Sequence, residues 1–519
     1  MTSYLLKSLA VPLVLIASLI AQQKPRVISA DFGQMKGKRD LAYRLCVGSE
    51  RAGVMMRAGN QAQLKRVHDE LGFQYIRFHG IFHDDMGVYR EVNGKPVYEF
   101  GNVDQLYDAI LQIGMKPFIE LSFMPHDLIS GSQEVFWWKG NVTPPKDMGK
   151  WSALVEAFTR HLQARYGDQE VGKWFFEVWN EPNYIGFWPN TDQAKYFELY
   201  DATVAAVKKV NPEYRVGGPA TAGAGWVPEF IEHTVKTGVP VDFISTHTYG
   251  VSQGFLDEFG QSDQVLDERP SAIVGDVQMV SDQIKASARP GLPLYFTEWS
   301  TSYSTRDPVH DAYVSAPYIL EKLKRAEGRT LAMSYWTYSD LFEEGGPPPS
   351  TFHGGFGLLT REGIPKASYF AYKYLQMLGP DELENADSSS WLTRDGGNFS
   401  ALLWGLHLIK QSAGDKEVYR KKHPPAKQAD VQLRLTGMPP GKYRLEIRRT
   451  GYEANDAYSA YLDMGMPKDP TPAQFETLFQ KASDSLETSE VIEVTKDGHL
   501  DRSLPIREND TVYVSLKRI

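Results

Sequence analysis

The chain has 519 residues, of which 42% are hydrophobic and 23% charged, and it carries a formal net charge of −9. That balance suits a globular protein and argues against a nucleic-acid or anionic-membrane partner, since both attract basic surfaces. Cys46 is the only cysteine, so there is neither a disulfide framework nor a thiolate metal cluster, and no cofactor is expected.

The chain begins "MTSYLLKSLAVPLVLIASLIAQQKP". Lys7 gives a positive start, Leu9 to Leu19 an apolar run, and Ala21 a small residue at which a peptidase can cut, so residues 1–21 read as a signal peptide. The run is shorter than the roughly 20 apolar residues a spanning helix needs. The mature protein is therefore expected outside the cytoplasm, periplasmic or secreted, with an uncleaved anchor as the alternative. Residues 22–39 contain "RVISADF", a candidate extra strand for the sheets at the other end of the chain.

From about residue 40 to 379 one rhythm recurs, a short apolar run followed by a loop and a longer helical pattern. The runs are "LAYRLCVG", "FQYIRFHG", "MKPFIELSF", "WFFEVWN", "YRVGGPA", "VDFISTHTYG", "LPLYFTEWS" and "LAMSYWTYSD". Near-continuously apolar strands alternating with helices imply a covered parallel sheet. Eight such units predict a (β/α)₈ TIM barrel. A doubly wound open sheet is disfavoured, because no Gly-rich phosphate turn follows the first run. After Gly379 a polar link leads into segments such as "ALLWGLHLI" and "TVYVSLKRI", which alternate in period two. Residues 385–519 are therefore expected to form a β-sandwich, interrupted by one helix at "TPAQFETLFQKAS".

Active sites of such barrels lie at the C-terminal ends of the strands, so what ends each run matters most. Strand two ends in His79, strand four in Asn180 and Glu181, and strand six in His247 and Tyr249. Strand seven ends in Glu298, and strand eight in Trp336 and Asp340, with Glu343 and Glu344 just beyond. Two glutamates facing each other across one mouth suit glycoside hydrolysis, in which one carboxyl protonates the leaving oxygen and the other attacks or activates water. Glu177 lies inside the barrel, where Arg77 is a candidate partner. His79 and His83 are separated by the strand-to-loop transition at Gly80 and have no third ligand at a suitable spacing, so they do not read as a metal pair. His79 instead suits hydrogen bonding to sugar hydroxyls.

"FEVWNEPN", "YFTEWSTSY", "RFHGIFHDDMGVY", "SYWTYSDLFEE" and "FHGGFGLLTREGIPK" closely resemble the β-xylosidases of glycoside hydrolase family 39. The resemblance implies a (β/α)₈ barrel with a β-sandwich, a carbohydrate substrate and retention of anomeric configuration. It implies Glu181 as acid/base, Glu298 as nucleophile and Asn180 beside the sugar 2-hydroxyl. It also implies His79, His247, Tyr249 and Glu344 as lining of the sugar site, to which the strand-eight aromatic Trp336 is added. Trp299 departs from the Tyr of several relatives. Phe342 is a candidate for the bulk that excludes a hexose hydroxymethyl group. The strand ends carry no Lys or Arg, Arg306 being the nearest, which favours a neutral pentose over an iduronide. Arabinosides, exopolysaccharide and a non-catalytic sugar-binding barrel are the other readings.

Overall fold

The computed structural model describes residues 25–256 and 262–519, so the expected signal peptide lies outside the described residues. Eight parallel strands close into a barrel in sequence order. They are β1 (Cys46–Arg51), β2 (Tyr75–His79), β3 (Lys116–Leu121), β4 (Phe175–Val178), β5 (Arg215–Thr221), β6 (Phe243–Tyr249), β7 (Leu294–Ser300) and β8 (Ala332–Tyr335). The helices that follow them in turn are α1 (Ala58–Leu71), α2 (Gly101–Ile113), α3 (Met148–Tyr166), α4 (Gln193–Val210), α5 (Val227–Thr237), α6 (Val274–Ala286), α7 (Ser315–Ala326) and α8 (Ala367–Gln376). Asp147 and Asp192 cap α3 and α4 by accepting hydrogen bonds from the free N–H groups of Lys150 and Lys195. Among the described residues no helix is long and apolar enough to cross a membrane.

The barrel interior is built in layers, because side chains two apart on a strand share a face. Cys46, Phe118, Phe175, Phe243, Tyr295 and Ala332 form an apolar floor, with Phe118 and Phe175 stacked at 4.6 Å. One step towards the C-terminal ends, β1 to β4, β6 and β7 supply Gly48, Arg77, Glu120, Glu177, Ser245 and Thr297, all buried. Gly48 has no room for a side chain, since a Cβ there would stand 2.3 Å from the Trp336 ring. The next step is the mouth.

Strict alternation along β7 would put Thr297 inside and turn Glu298 away. The strand irregularities prevent this. The β6–β7 register shifts between Thr246 and His247, which leaves His247 opposite Glu298, and the β7–β8 register shifts between Phe296 and Trp299. Such irregularities re-aim side chains at barrel rims. Thr297 still donates inward to Glu177 (2.8 Å), while Glu298 also faces the interior.

Beyond the barrel, a seven-stranded sheet and a three-stranded sheet enclose a second apolar core of residues such as Ile28, Leu392, Leu433, Leu445 and Val514. The segment before the barrel contributes to both. Val27–Asp31 pairs in parallel with Val431–Thr436, and Met35–Lys38 pairs with Asp381–Leu383. After the barrel the larger sheet resumes at Asp381, a few residues before the expected 385, because a three-residue strand is too short to display a period. The helix Pro472–Lys481 forms as expected and starts with a Thr471–Gln474 capping box. Trp404 and Trp391 join the barrel core, and Trp404 Nε1 donates to Glu321 of α7 (2.9 Å).

Candidate active site

Arg77 organises the barrel interior. Its Nε donates to Glu177 (2.5 Å), Nη1 to Glu298 Oε1 (2.7 Å) and Nη2 to Asn180 Oδ1 (3.0 Å), and Nη2 also lies 2.8 Å from Glu120. Four buried groups thus share one guanidinium, whose rigid fork of donors matches several carboxylates at once. Burial pushes the Glu177 carboxyl up and outweighs Arg77 there. At Glu120 burial acts the same way, but the His79 and Arg77 charges and the hydrogen bonds from His79 and Ser122 prevail and hold the carboxyl low.

Above this layer His79 Nδ1 lies 2.7 Å from Glu120 Oε2, and its Nε2 faces Glu344 Oε1 at 3.4 Å. Burial disfavours a charged ring, yet Glu120 and then Glu344 push His79 up to about 10, so it is an imidazolium at neutral pH. Glu344 is pushed up by burial to about 7, against the pull of His79. Apart from that 3.4 Å ion pair with His79, its buried Oε1 makes no hydrogen bond among the described residues. A carboxylate oxygen has more than one lone pair, so this one has acceptor capacity to spare for a ligand hydroxyl.

Glu181 and Glu298 meet across the mouth. Facing oxygens of Glu181 and Glu298 and a ring nitrogen of His247 all lie within 4.8 Å of one another. His247 Nδ1 is 2.9 Å from Glu181 Oε1 and 3.6 Å from Glu298 Oε2. Tyr249 donates its hydroxyl to Glu298 Oε2 (2.6 Å). Burial first, and the Glu298 charge second, raise Glu181 well above the ordinary carboxylate range, so it keeps its proton where an exposed acid has lost it. Burial, then the Arg77 and His79 charges, hold His247 neutral. Burial and the two glutamates keep the Tyr249 phenol protonated.

Local backbone sets Glu181 in place. Trp179 and Glu181 both have positive φ, 69° and 43°, a strain typical of functional positions. The Glu181 amide donates to the Ala220 carbonyl of β5 (2.8 Å), so the turn after β4 is pinned to its neighbour. Trp336 lies over the Gly48 gap, its ring 4.8 Å from His79, with Arg77 5.7 Å from its face. Phe342 packs edge-on behind Trp336 and against Phe356, so it braces the wall.

Glu181, Glu298, Asn180, His79, His247, Tyr249, Trp336 and Glu344 gather at this mouth, whereas Asp340, Glu343 and His83 do not. Asp340 is instead paired with buried Lys366 (2.7 Å), and Glu343 with Arg57 (2.6 Å) and Arg51 (3.3 Å). His83 bonds Asp85 (2.9 Å) and packs on Trp138. Sequence reasoning missed Glu120, although an acid within the apolar run "PFIELSF" gives the same signal as Glu177. It also missed the reach of Arg77 to Glu298. Donor atoms of His79, Glu120 and Glu298, and of Glu181, His247 and Glu298, are close enough to share a cation. Arg77 already supplies a fixed positive charge to Glu120 and Glu298, so a metal would have to compete with it for the same oxygens.

A closed (β/α)₈ barrel with a protonated carboxyl facing a second, arginine-held carboxylate at its C-terminal mouth defines a glycoside hydrolase. A profile for glycosyl hydrolases family 39 matches residues 28–500, and the chain belongs to that family. It is 52% identical to a solved monomeric β-xylosidase from Caulobacter crescentus CB15, over 95% of this chain and 100% of that one, with a TM-score of 0.93. The solved family 39 enzyme of Xanthomonas axonopodis pv. citri is 48% identical over 98% of this chain and 100% of its own, with a TM-score of 0.94. The β-xylosidase of Caldicellulosiruptor saccharolyticus is 38% identical over 96% of this chain and 99% of that one.

Proposed function

We propose that the protein is a retaining, exo-acting β-xylosidase that releases xylose from xylo-oligosaccharides or from aryl and alkyl β-xylosides. The approach of Glu181 and Glu298 carboxyl oxygens to within 4.8 Å carries this reading. Retaining enzymes bring their two carboxyls closer together than inverting ones, which leave room between them for a water. The β-xylosidase relatives support the choice of sugar.

In this reading Glu298, oriented by Arg77 and Tyr249, attacks the anomeric carbon while Glu181 protonates the departing oxygen. Once Glu298 is esterified its charge is gone, and the second cause that keeps Glu181 protonated goes with it. Glu181 then accepts a proton from the water that hydrolyses the ester. Asn180 accepts from Arg77 through its oxygen, which leaves its amide hydrogens for the sugar 2-hydroxyl. His79 and Glu344, which face each other at 3.4 Å, suit the remaining hydroxyls. Gln133 donates to the Ile185 carbonyl (2.7 Å) and the Trp137 amide to the Glu344 carbonyl (2.7 Å). Loops tied together in this way wall the mouth, as an exo-acting pocket requires.

NMR of the first sugar released from an aryl β-xyloside tests the proposal, with β-xylose expected ahead of mutarotation. Initial α-xylose would mean inversion. Glu344→Ala is expected to lower kcat/KM on aryl xylosides by about 2–4 kcal/mol in transition-state terms, because hydroxyls bonded to a buried carboxylate lose their acceptor. Near-normal kinetics would remove Glu344 from the sugar site. We also propose export to the periplasm or medium, on the support of Lys7, the apolar run and Ala21.

A further inference from the structure

We propose that Trp137 and Arg306 form a leaving-group subsite that prefers a carboxylate-bearing aglycone, such as a xylo-oligosaccharide with a uronic acid next to the bond that is cut. The inference rests on the exo-xylosidase reading. With the sugar enclosed against the Arg77 layer, the rest of a substrate leaves through the mouth and meets whatever stands on its lip.

Two paths lead from carboxylates of the sugar site, Glu298 and Glu344, to one exposed patch. From Glu298 the path runs through the Tyr249 hydroxyl to Tyr303, whose ring is 6.3 Å from that of Tyr249 and 54% exposed. Arg306 follows three residues later and donates to the Gly345 carbonyl (2.5 Å). From Glu344 the path runs through its carbonyl to the Trp137 amide, and the Trp137 side chain is 58% exposed. The two paths meet at Gly346. With φ of +86°, it would place a Cβ 3.5 Å from the Trp137 ring and 3.8 Å from Arg306 Nη2. The exposed Trp137 indole and the Arg306 guanidinium therefore both abut Gly346, two residues beyond Glu344.

Charge separates this arginine from the others near the mouth. Arg51, Arg57 and Arg77 are each paired with carboxylates. Arg306 has no ion pair among the described residues, and its one hydrogen bond to a carbonyl leaves further N–H donors for a ligand. Inside the mouth Arg77 is already engaged by Glu298 and His79 by Glu344 and Glu120, so the cation left for an acidic leaving group is Arg306. Indole stacks on a sugar or aryl face, and guanidinium recognises carboxylate through paired N–H groups.

The test compares 4-carboxyphenyl with 4-carbamoylphenyl β-xyloside, which share size and differ in charge. The ratio of their kcat/KM values is measured for the wild type, Arg306→Gln and Arg306→Lys. Arg306→Gln is expected to lower the charged-to-neutral ratio about five-fold, as suits a partly exposed ion pair, with Arg306→Lys between the two. Added salt is expected to lower the wild-type ratio towards that of Arg306→Gln. The same ratio in all three proteins overturns the subsite and leaves the xylosidase reading standing. A wild type inert on both xylosides defeats that reading and the subsite with it.

Discussion

Glu181→Ala is expected to slow breakdown of the glycosyl-enzyme from an activated aryl xyloside by about 10²–10⁴-fold, the usual worth of general acid–base catalysis. Formation of that intermediate should suffer much less, because a good leaving group needs little protonation. The variant should therefore accumulate the intermediate, and added azide, which needs no general base, should restore turnover and yield β-xylosyl azide. The pH profile gives a second readout. The folded protein raises the pKa of Glu181, so the acid is present at low pH and lost as pH rises through that elevated value. Wild-type kcat/KM should thus fall on an alkaline limb above the ordinary carboxylate range, and Glu181→Ala should lack that limb. A variant unaffected by azide, with Glu177→Ala rescued in its place, would move the role four residues back, onto β4.

The second large effect concerns Arg77. Arg77→Met keeps much of the volume but leaves Glu120, Glu177 and Glu298 without the cation they share. Breaking one side of a buried ion pair typically costs about 3–5 kcal/mol, and that loss should appear as a lower urea midpoint. Activity should fall as well, since both Glu298 and Asn180 lose the donor that orients them. Adding Glu177→Gln removes one of the stranded charges and should recover part of the stability. If Arg77→Met is as stable as the parent, these carboxyls are neutral without the arginine and the account of the layer is wrong.

The barrel was legible because its strands are buried on both faces and therefore apolar almost throughout, while its helices carry their own caps and stops. The site was legible where chemistry sits at a strand end, as at Glu181, His247 and Tyr249. It was less so where the path to function runs through an irregularity. Glu298 ends the right strand, but only the register shifts around β6 and β7 bring it inside alongside Thr297. Glu120 was hidden because a lone acid in an apolar run has no sequence partner, its cation being 43 positions earlier in the chain at Arg77 and brought close by the barrel. Trp137 and Arg306 lie in loops with no period, and only folding shows that both abut Gly346.

The central claim is that Glu298 forms a covalent bond to the sugar while Glu181 handles protons. Treating the enzyme with a 2-deoxy-2-fluoro-β-xyloside bearing a good leaving group slows both steps, hydrolysis of the ester most, and mapping the labelled peptide by mass spectrometry then identifies the nucleophile. The expected label is one fluoroxylosyl group on Glu298, within "YFTEWSTSY". A label on Glu181 or Glu177, or turnover that never yields a labelled protein, would contradict the account.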